Sequence, residues 1–318
     1  MKDVNIELYK MMYLIRSSEY KIQEIYHEDE MKTPMHMSMG EEAVVVGVVK
    51  ALDPIDQVVG TYRSHALYLS KTGETDLFFA EMFGKETGCV KGKSGSMHLS
   101  SKDNGLLCCS AIVGSSIPVA VGAAFANKYN NNGKKVAVFF GDGAMDEGVF
   151  WESINYASVN ELPILFICED NGYAVHTARN KRQNYNPSAD LFKEFGFNTY
   201  ESISTDVEEI YNLTRKAIQD MNKNNRPCFL RLRYYRYLEH VGINTDFQDN
   251  YRSKLEYEDW KKRDPIVVQV CKLFNLGITL DQFTEIESII DKQINKSIEF
   301  ARESKFPEKG ELYKGVWA

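Results

Sequence analysis

At 318 residues, with 43 % apolar and 26 % charged residues, the chain has a globular composition and room for one large domain or two ordinary ones. A net charge of −7 argues against nucleic acid as the main partner, since that binding needs clustered Lys and Arg to neutralise phosphates. No apolar stretch reaches membrane length, and Met1-Lys-Asp-Val-Asn-Ile-Glu7 lacks a charged-then-apolar leader pattern, so no membrane partner is expected. The six cysteines (Cys89, Cys108, Cys109, Cys168, Cys228 and Cys271) form no Cys-x-x-Cys pair, and a reduced cytoplasmic setting is expected.

In chain order, Leu8, Met11, Met12, Ile15, Ile22 and Tyr26 recur at helical spacing and predict a long amphipathic helix over residues 1–30. Arg16 and Glu19 lie one turn apart on it and read as a structural pair. Residues 35–39 have no regular period, 41–52 reads as a second helix ended by Asp53-Pro54, and 58–61 as a short strand running into Tyr62-Arg-Ser-His65. Lys91-Gly-Lys-Ser-Gly-Ser-Met-His98 is glycine-rich and basic but lacks P-loop spacing, so a flexible loop is expected. Ala111-Ile-Val-Gly114 alone reads as core. The small residues of 115–128, with Pro118 in the first turn, predict a helix that another backbone can approach closely, in the interior or at a subunit interface.

Val136 to Phe140 is an unbroken apolar run, as expected of a strand buried on both faces. A helix over 145–159 and a second apolar strand over 163–168 complete a βαβ unit of about 30 residues. A crossover helix over 210–223 and a strand over 228–233 follow; Cys168 and Cys228 sit in apolar runs as small core residues. Thr279 with Gln282 forms a capping box opening a helix whose Phe283, Ile286, Ile290 and Ile294 make one stripe. No linker, repeat or low-complexity tract divides the chain. One α/β domain over 1–318 is expected, a parallel sheet flanked by helices, with N-terminal helices over 1–52 and a C-terminal helical extension over 255–318.

Two polar turns, Gly141-Asp-Gly143 and Asp170-Asn-Gly-Tyr173, leave the carboxyl ends of the two strands, where open α/β sheets bind ligands. Asp142 and Asn171 offer hard oxygens, and a small oxygen cage of this kind suits Mg²⁺, which completes its octahedron with phosphate and water. Gly141-Asp-Gly143 followed 28 positions later by Asn171 resembles the diphosphate-binding motif of thiamine diphosphate enzymes. Arg63 could make a forked contact with a diphosphate oxygen. No two of the six histidines have zinc-site spacing; His27 reads as solvated, while His36, His65 and His240 lie near these motifs, where a group near neutral pKa can act as acid or base.

Together with His36-Met-Ser-Met-Gly-Glu-Glu-Ala43, Lys91 to His98, Ala111 to Gly114, and Tyr235-Arg-Tyr237 with His240, these segments resemble one family over nearly the whole chain. It is the alpha subunit of the thiamine diphosphate-dependent 2-oxoacid dehydrogenases, of pyruvate, branched-chain or acetoin type. The resemblance implies a thiamine diphosphate-binding fold, with Asp142, Asn171 and the Tyr173 carbonyl on Mg²⁺ and Tyr62 and Arg63 on the diphosphate. It further implies Gly143 and Ala144 closing around the diphosphate, and Val113 with Ala111 positioning the aminopyrimidine. His36 would face the 2-oxoacid, with His65 and His240 near the thiazolium. In such two-subunit enzymes the activating glutamate belongs to the beta chain, so an α₂β₂ heterotetramer is expected and the chain alone should be inactive. A lipoyl acyltransferase would be the usual acceptor.

The stretch Arg236-Tyr-Leu-Glu-His-Val-Gly242 departs from the His-Gly-His-Ser form typical of the family: Leu238 replaces a histidine, Glu239 a glycine and Val241 a serine. Val241 has no hydroxyl, which excludes phosphorylation there. Glu239 either brings negative charge to the site mouth or makes a salt bridge in the lid. His176 stands where relatives carry a small residue. These departures keep two alternatives open: a carboligase or transketolase-like enzyme of sugar-related metabolism, and a non-catalytic cofactor-binding subunit.

Overall fold

The computed structural model describes residues 2–185, 188–249 and 251–315. In chain order these form α1 (Lys2–Ile25), α2 (Glu42–Ala51), β1 (Gln57–Thr61), α3 (His65–Thr72), α4 (Thr75–Met82), β2 (Leu106–Ser110) and α5 (Ser116–Tyr129). Then come β3 (Val136–Gly141), α6 (Gly148–Val159), β4 (Ile164–Asp170), a two-residue hairpin of β5 (Tyr173–Ala174) and β6 (Thr177–Ala178), β7 (Asn198–Ser202) and α7 (Val207–Asn224). The chain continues with β8 (Cys228–Arg233), α8 (Lys254–Lys261), α9 (Pro265–Asn275) and α10 (Leu280–Glu303).

Six strands make one parallel sheet in the order β2-β1-β3-β4-β8-β7. Side chains alternate across it. Val136, Val138, Phe140, Ile164, Phe166, Cys168 and Phe229 point to the face covered by α5 and α6, and Ala137, Phe139, Leu165, Ile167, Cys228 and Leu230 to the face covered by α2 and α7. The period of two explains why these strands read as continuous apolar runs: each face has its own core. Phe192, on a short turn of 3₁₀ helix, stacks on Phe229 with ring centroids 3.8 Å apart and fills the first face. The helix starts are fixed by short polar side chains. Asp206 accepts from Glu208 N, Asp264 from Ile266 N with Pro265 next in line, and Thr279 and Gln282 form the capping box read from the sequence.

Three expectations change. Arg16 and Glu19 do not pair with each other: Arg16 binds Glu42 Oε1 at 2.5 Å and Asp264 Oδ2 at 3.0 Å, while Glu19 binds His65 Nδ1 at 2.5 Å and Ser38 N at 2.6 Å. Both side chains are buried, and tertiary partners replace the helical neighbour. The basic glycine loop is also ordered from beneath. The buried carboxylate of Glu81 accepts from the backbone N–H of Val90, Gly92, Ser94 and Gly95 and from the Ser94 hydroxyl. Finally, Ala111 to Gly114 is not core, since Ile112 is 70 % exposed.

Strand order places the site. From β1 the chain goes to β2 on one side, and after α5 it returns to β3 on the other, so the sheet has its switch point between β1 and β3. A crevice opens there at the carboxyl ends.

Candidate active site

The turns after β1, β2, β3, β4 and β8 converge on one cavity of about 300 Å³. Tyr62 and Arg63 line it from β1, Ile112, Val113 and Gly114 from β2, Gly143 and Ala144 from β3, Asn171 and Tyr173 from β4, and Tyr234, Arg236 and His240 from β8. Ala111 is not in the wall, although Ser110 and Ile112 on either side of it are. The volume is at the lower end for ligand pockets, so the described residues enclose only part of a bulky ligand.

Asp142 opens a 3₁₀ turn after β3 and is 2 % exposed. Its Oδ2 accepts from Arg182 Nη2 at 2.5 Å, whereas its buried Oδ1 has no partner. Burial first, and then the charge of Asp170, push the Asp142 carboxyl upward, with Arg182 opposing. A cation beside Oδ1 would remove that penalty. Across the cavity, Asn171 Nδ2 donates to the Tyr234 hydroxyl at 2.9 Å, and Asn171 Oδ1 accepts from Tyr173 N at 2.9 Å, which keeps a second lone pair for a ligand. The loop is anchored by buried Asp170, which accepts from Arg231, Arg179 and Arg233 at 2.6, 2.6 and 2.8 Å and from Gly172 N at 2.9 Å. Among the described residues no three His, Cys, Asp or Glu are placed to hold a metal. A cation site with so few acidic side chains would suit an ion that takes most of its oxygens from its ligand and water, as Mg²⁺ does. A Cβ at Gly143 would sit 2.8 Å from that of Ala174, so only glycine lets the two turns approach this closely.

Arg63 differs from the forked anion contact expected of it. Its Nη1 donates to the Met37 carbonyl at 2.6 Å and its Nη2 to the His240 carbonyl at 3.0 Å, which leaves its charge, not its fork, facing the cavity. Glu41 and Glu169 lie buried beside it. Burial raises both carboxyls well above the usual carboxylate range, with their mutual charge adding to the shift at Glu41 and Arg63 opposing at both. The raised carboxyls weaken the negative charge beside Arg63, whose guanidinium lines the cavity and suits an anion.

His36, Tyr62 and His240 form a three-ring cluster, with centroids 4.6, 5.4 and 5.5 Å apart. Burial, followed by Arg63, lowers both imidazoles to about 3, so each is neutral near pH 7 and can donate or accept one hydrogen bond. His36 Nδ1 has no partner. His65 lies near His36 and, like His36, does not line the cavity; it is fully buried, and Glu19 and Ser96, at 2.5 and 2.6 Å, occupy its two ring nitrogens. Among the described residues Glu239 makes no salt bridge. It folds into its own turn, accepting from Asn244 N at 2.9 Å while its N–H donates to Asn244 O at 2.8 Å. His176 stacks on Tyr251 at 4.5 Å, and buried Asp246 gathers Arg236, Tyr251 and Arg252 to hold this lid together.

Reading the sequence missed Arg182, Gln183, Asp246 and Tyr251. None has a spacing signal, because each acts on a partner brought to it by the fold.

Comparison with known proteins agrees with this geometry. The family model described as "Dehydrogenase E1 component" matches residues 9–309. The chain is 34 % identical to "Pyruvate dehydrogenase E1 component subunit alpha" of Rickettsia felis, over 99 % of this chain and 96 % of that protein. It is likewise 34 % identical to the protein of the same name in Porphyra purpurea, over 98 % of this chain and 92 % of that protein. In Zymomonas mobilis the corresponding identity is 30 %, over 98 % and 88 % of the two chains. Matched over nearly all of its length, with the converging strand ends described above, this chain belongs to the dehydrogenase E1 component family.

Proposed function

We propose that the chain is the alpha subunit of a heteromeric, thiamine diphosphate- and Mg²⁺-dependent enzyme that decarboxylates a 2-oxoacid and passes the acyl unit to a lipoyl acceptor on an acyltransferase. The observation that carries this reading is the bare, buried Oδ1 of Asp142, in the turn whose Gly143 and Ala144 line one cavity with Asn171 and Tyr173. Those three residues would hold Mg²⁺ through carboxylate, amide and carbonyl oxygens. Tyr62, Arg63, Gly143 and Ala144 would receive the diphosphate, and exposed Val113 the aminopyrimidine. When bound, the cofactor supplies a carbanion and an electron sink for decarboxylation. Neutral His36 and His240 would orient the 2-oxoacid by hydrogen bonds while Leu238 and Tyr237 keep water from the lid. Glu239, tied into its turn, gives no support to a different acceptor.

A partner subunit is part of the reading. The cavity mouth at Ile112 and Val113 is open, and from it α5 runs about 20 Å to the opposite end of the sheet; along α5 and α6 Val119, Phe125, Tyr129, Tyr156 and Val159 are exposed. Tyr129 is 81 % and Val159 74 % exposed, and Phe125 packs on Tyr129 and Tyr156 at 6.5 and 6.2 Å, an apolar surface. A beta subunit seated there would complete the cavity in an α₂β₂ assembly with a cytoplasmic location.

The test is turnover of the full chain co-expressed with its beta subunit, with a panel of 2-oxoacids and both dye and lipoyl-domain acceptors. Activity is expected to require both subunits, cofactor and Mg²⁺, and Asp142→Ala is expected to abolish Mg²⁺-dependent cofactor binding in calorimetry. Unchanged cofactor affinity in that variant overturns the site. CO₂ release without lipoyl transfer overturns the acceptor.

A further inference from the structure

We propose that Arg182, assisted by Gln183, is a positioning residue for the Asp142 carboxylate and joins the two halves of the cation cage; this rests on the metal-site reading above. The cage draws on two separate turns, one after β3 and one after β4, which no strand pairing holds together beyond Gly141–Glu169. The second turn runs out through the β5–β6 hairpin and returns. At its far end Arg182 donates to Asp142 Oδ2 through Nη2 and to Asp146 through Nη1, and its Nε donates to Thr177 O at 3.3 Å. Gln183 Nε2 reaches the Asp142 carbonyl at 3.2 Å and Asp146 Oδ1 at 2.7 Å. The segment that begins with Asn171 thus ends by gripping the residue opposite it.

The geometry distinguishes positioning from competition. A guanidinium serving as a substitute for the metal would take both carboxylate oxygens in its fork. Here it takes one oxygen, spends its other terminal nitrogen on Asp146, and leaves Oδ1 buried and bare. The carboxylate is fixed in rotation with one oxygen committed to the protein and one offered to a ligand. Outer partners of this kind are worth about 10–100-fold in metal affinity.

The experiment is a Mg²⁺ titration of the full chain in complex with its partner subunit, at saturating thiamine diphosphate. It is followed by fluorescence of Trp151, whose Nε1 donates to Met145 O in the turn of Asp142. The same titration with Mn²⁺, read by electron paramagnetic resonance, gives a signal from the ion itself. Arg182→Gln is expected to weaken both ions by about 10–100-fold. Arg182→Lys, which keeps the charge but not the double contact, should recover part of the loss. Gln183→Leu should weaken binding in the same sense without removing a charge, and serves if Arg182→Gln folds poorly. Affinity within two-fold of wild type in Arg182→Gln and Gln183→Leu overturns the proposal. Tighter binding in Arg182→Gln also overturns it and makes Arg182 a competing counter-ion. Absence of any Mg²⁺-dependent cofactor binding in the wild type overturns the metal-site reading itself, so the two failures are distinct.

Discussion

Single residues in this protein act through partners that lie far away in sequence. Arg16 is the clearest case: its guanidinium spans Glu42 and Asp264, and although burial works against it, Asp264 is held at about 2 by Arg16 and Lys261. Removing one member of such a buried set leaves the others uncompensated. Arg16→Met is therefore expected to destabilise the fold by about 3–5 kcal/mol in urea unfolding, and a loss below about 1 kcal/mol would sink that account. The histidine pair gives a pH signature. His36 and His240 stay neutral in the folded protein down to about 3, whereas the unfolded chain takes up protons near 6.5. The native state binds fewer protons in that window, so stability is complete above pH about 6.5 and is lost as pH falls toward 3. Replacing both with Asn should flatten the fall in melting temperature between pH 7 and pH 5; an equal slope in the double variant would assign the acid sensitivity elsewhere.

At the scale of elements, legibility followed burial pattern. β3, β4 and β8 were readable because both faces are apolar, and α10 because its cap and stripe are local. Asn198-Thr-Tyr-Glu-Ser202 was not, since β7 is an edge strand whose polar residues show no alternation. The Lys91–His98 loop could not be read as ordered, because the carboxylate that organises it sits on α4. Cavity-lining positions were visible where a strand end and a short glycine turn coincide; the grip of Arg182 was not, since it depends on where a loop returns. The small-residue helix α5 was read as interior or interface, and with α6 it carries an exposed apolar strip that ends at Tyr129 and Val159. Glu at both Tyr129 and Val159 should change the chain's own stability by no more than about 0.5 kcal/mol each. Association with the partner should weaken at least ten-fold, about 1.4 kcal/mol, in sedimentation velocity. Unaltered association would move the interface away from this face.

Over the whole molecule, distant parts of the chain close on each other. α1 packs against α9 and α10, with the Tyr9 hydroxyl on Glu287 at 2.5 Å, and the loop of His36 is equally non-local in its contacts. Gly242 N donates to Met35 O at 2.8 Å, Tyr237 N to Met39 O at 3.1 Å, and residues 36 and 242 form a backbone bridge. That bridge carries a consequence for biosynthesis. Roughly 200 residues must leave the ribosome after His36 before its loop can be satisfied, on the order of 10–40 s at ordinary elongation rates. Throughout that interval Met35, Met37 and Met39, all buried at maturity, have no lid to cover them. Asp142, Asn171 and Tyr173 emerge earlier and can meet without it. A nascent chain arrested before residue 242 would thus lack the contacts that close over the loop of His36, and its three exposed methionines would make it a client for a chaperone.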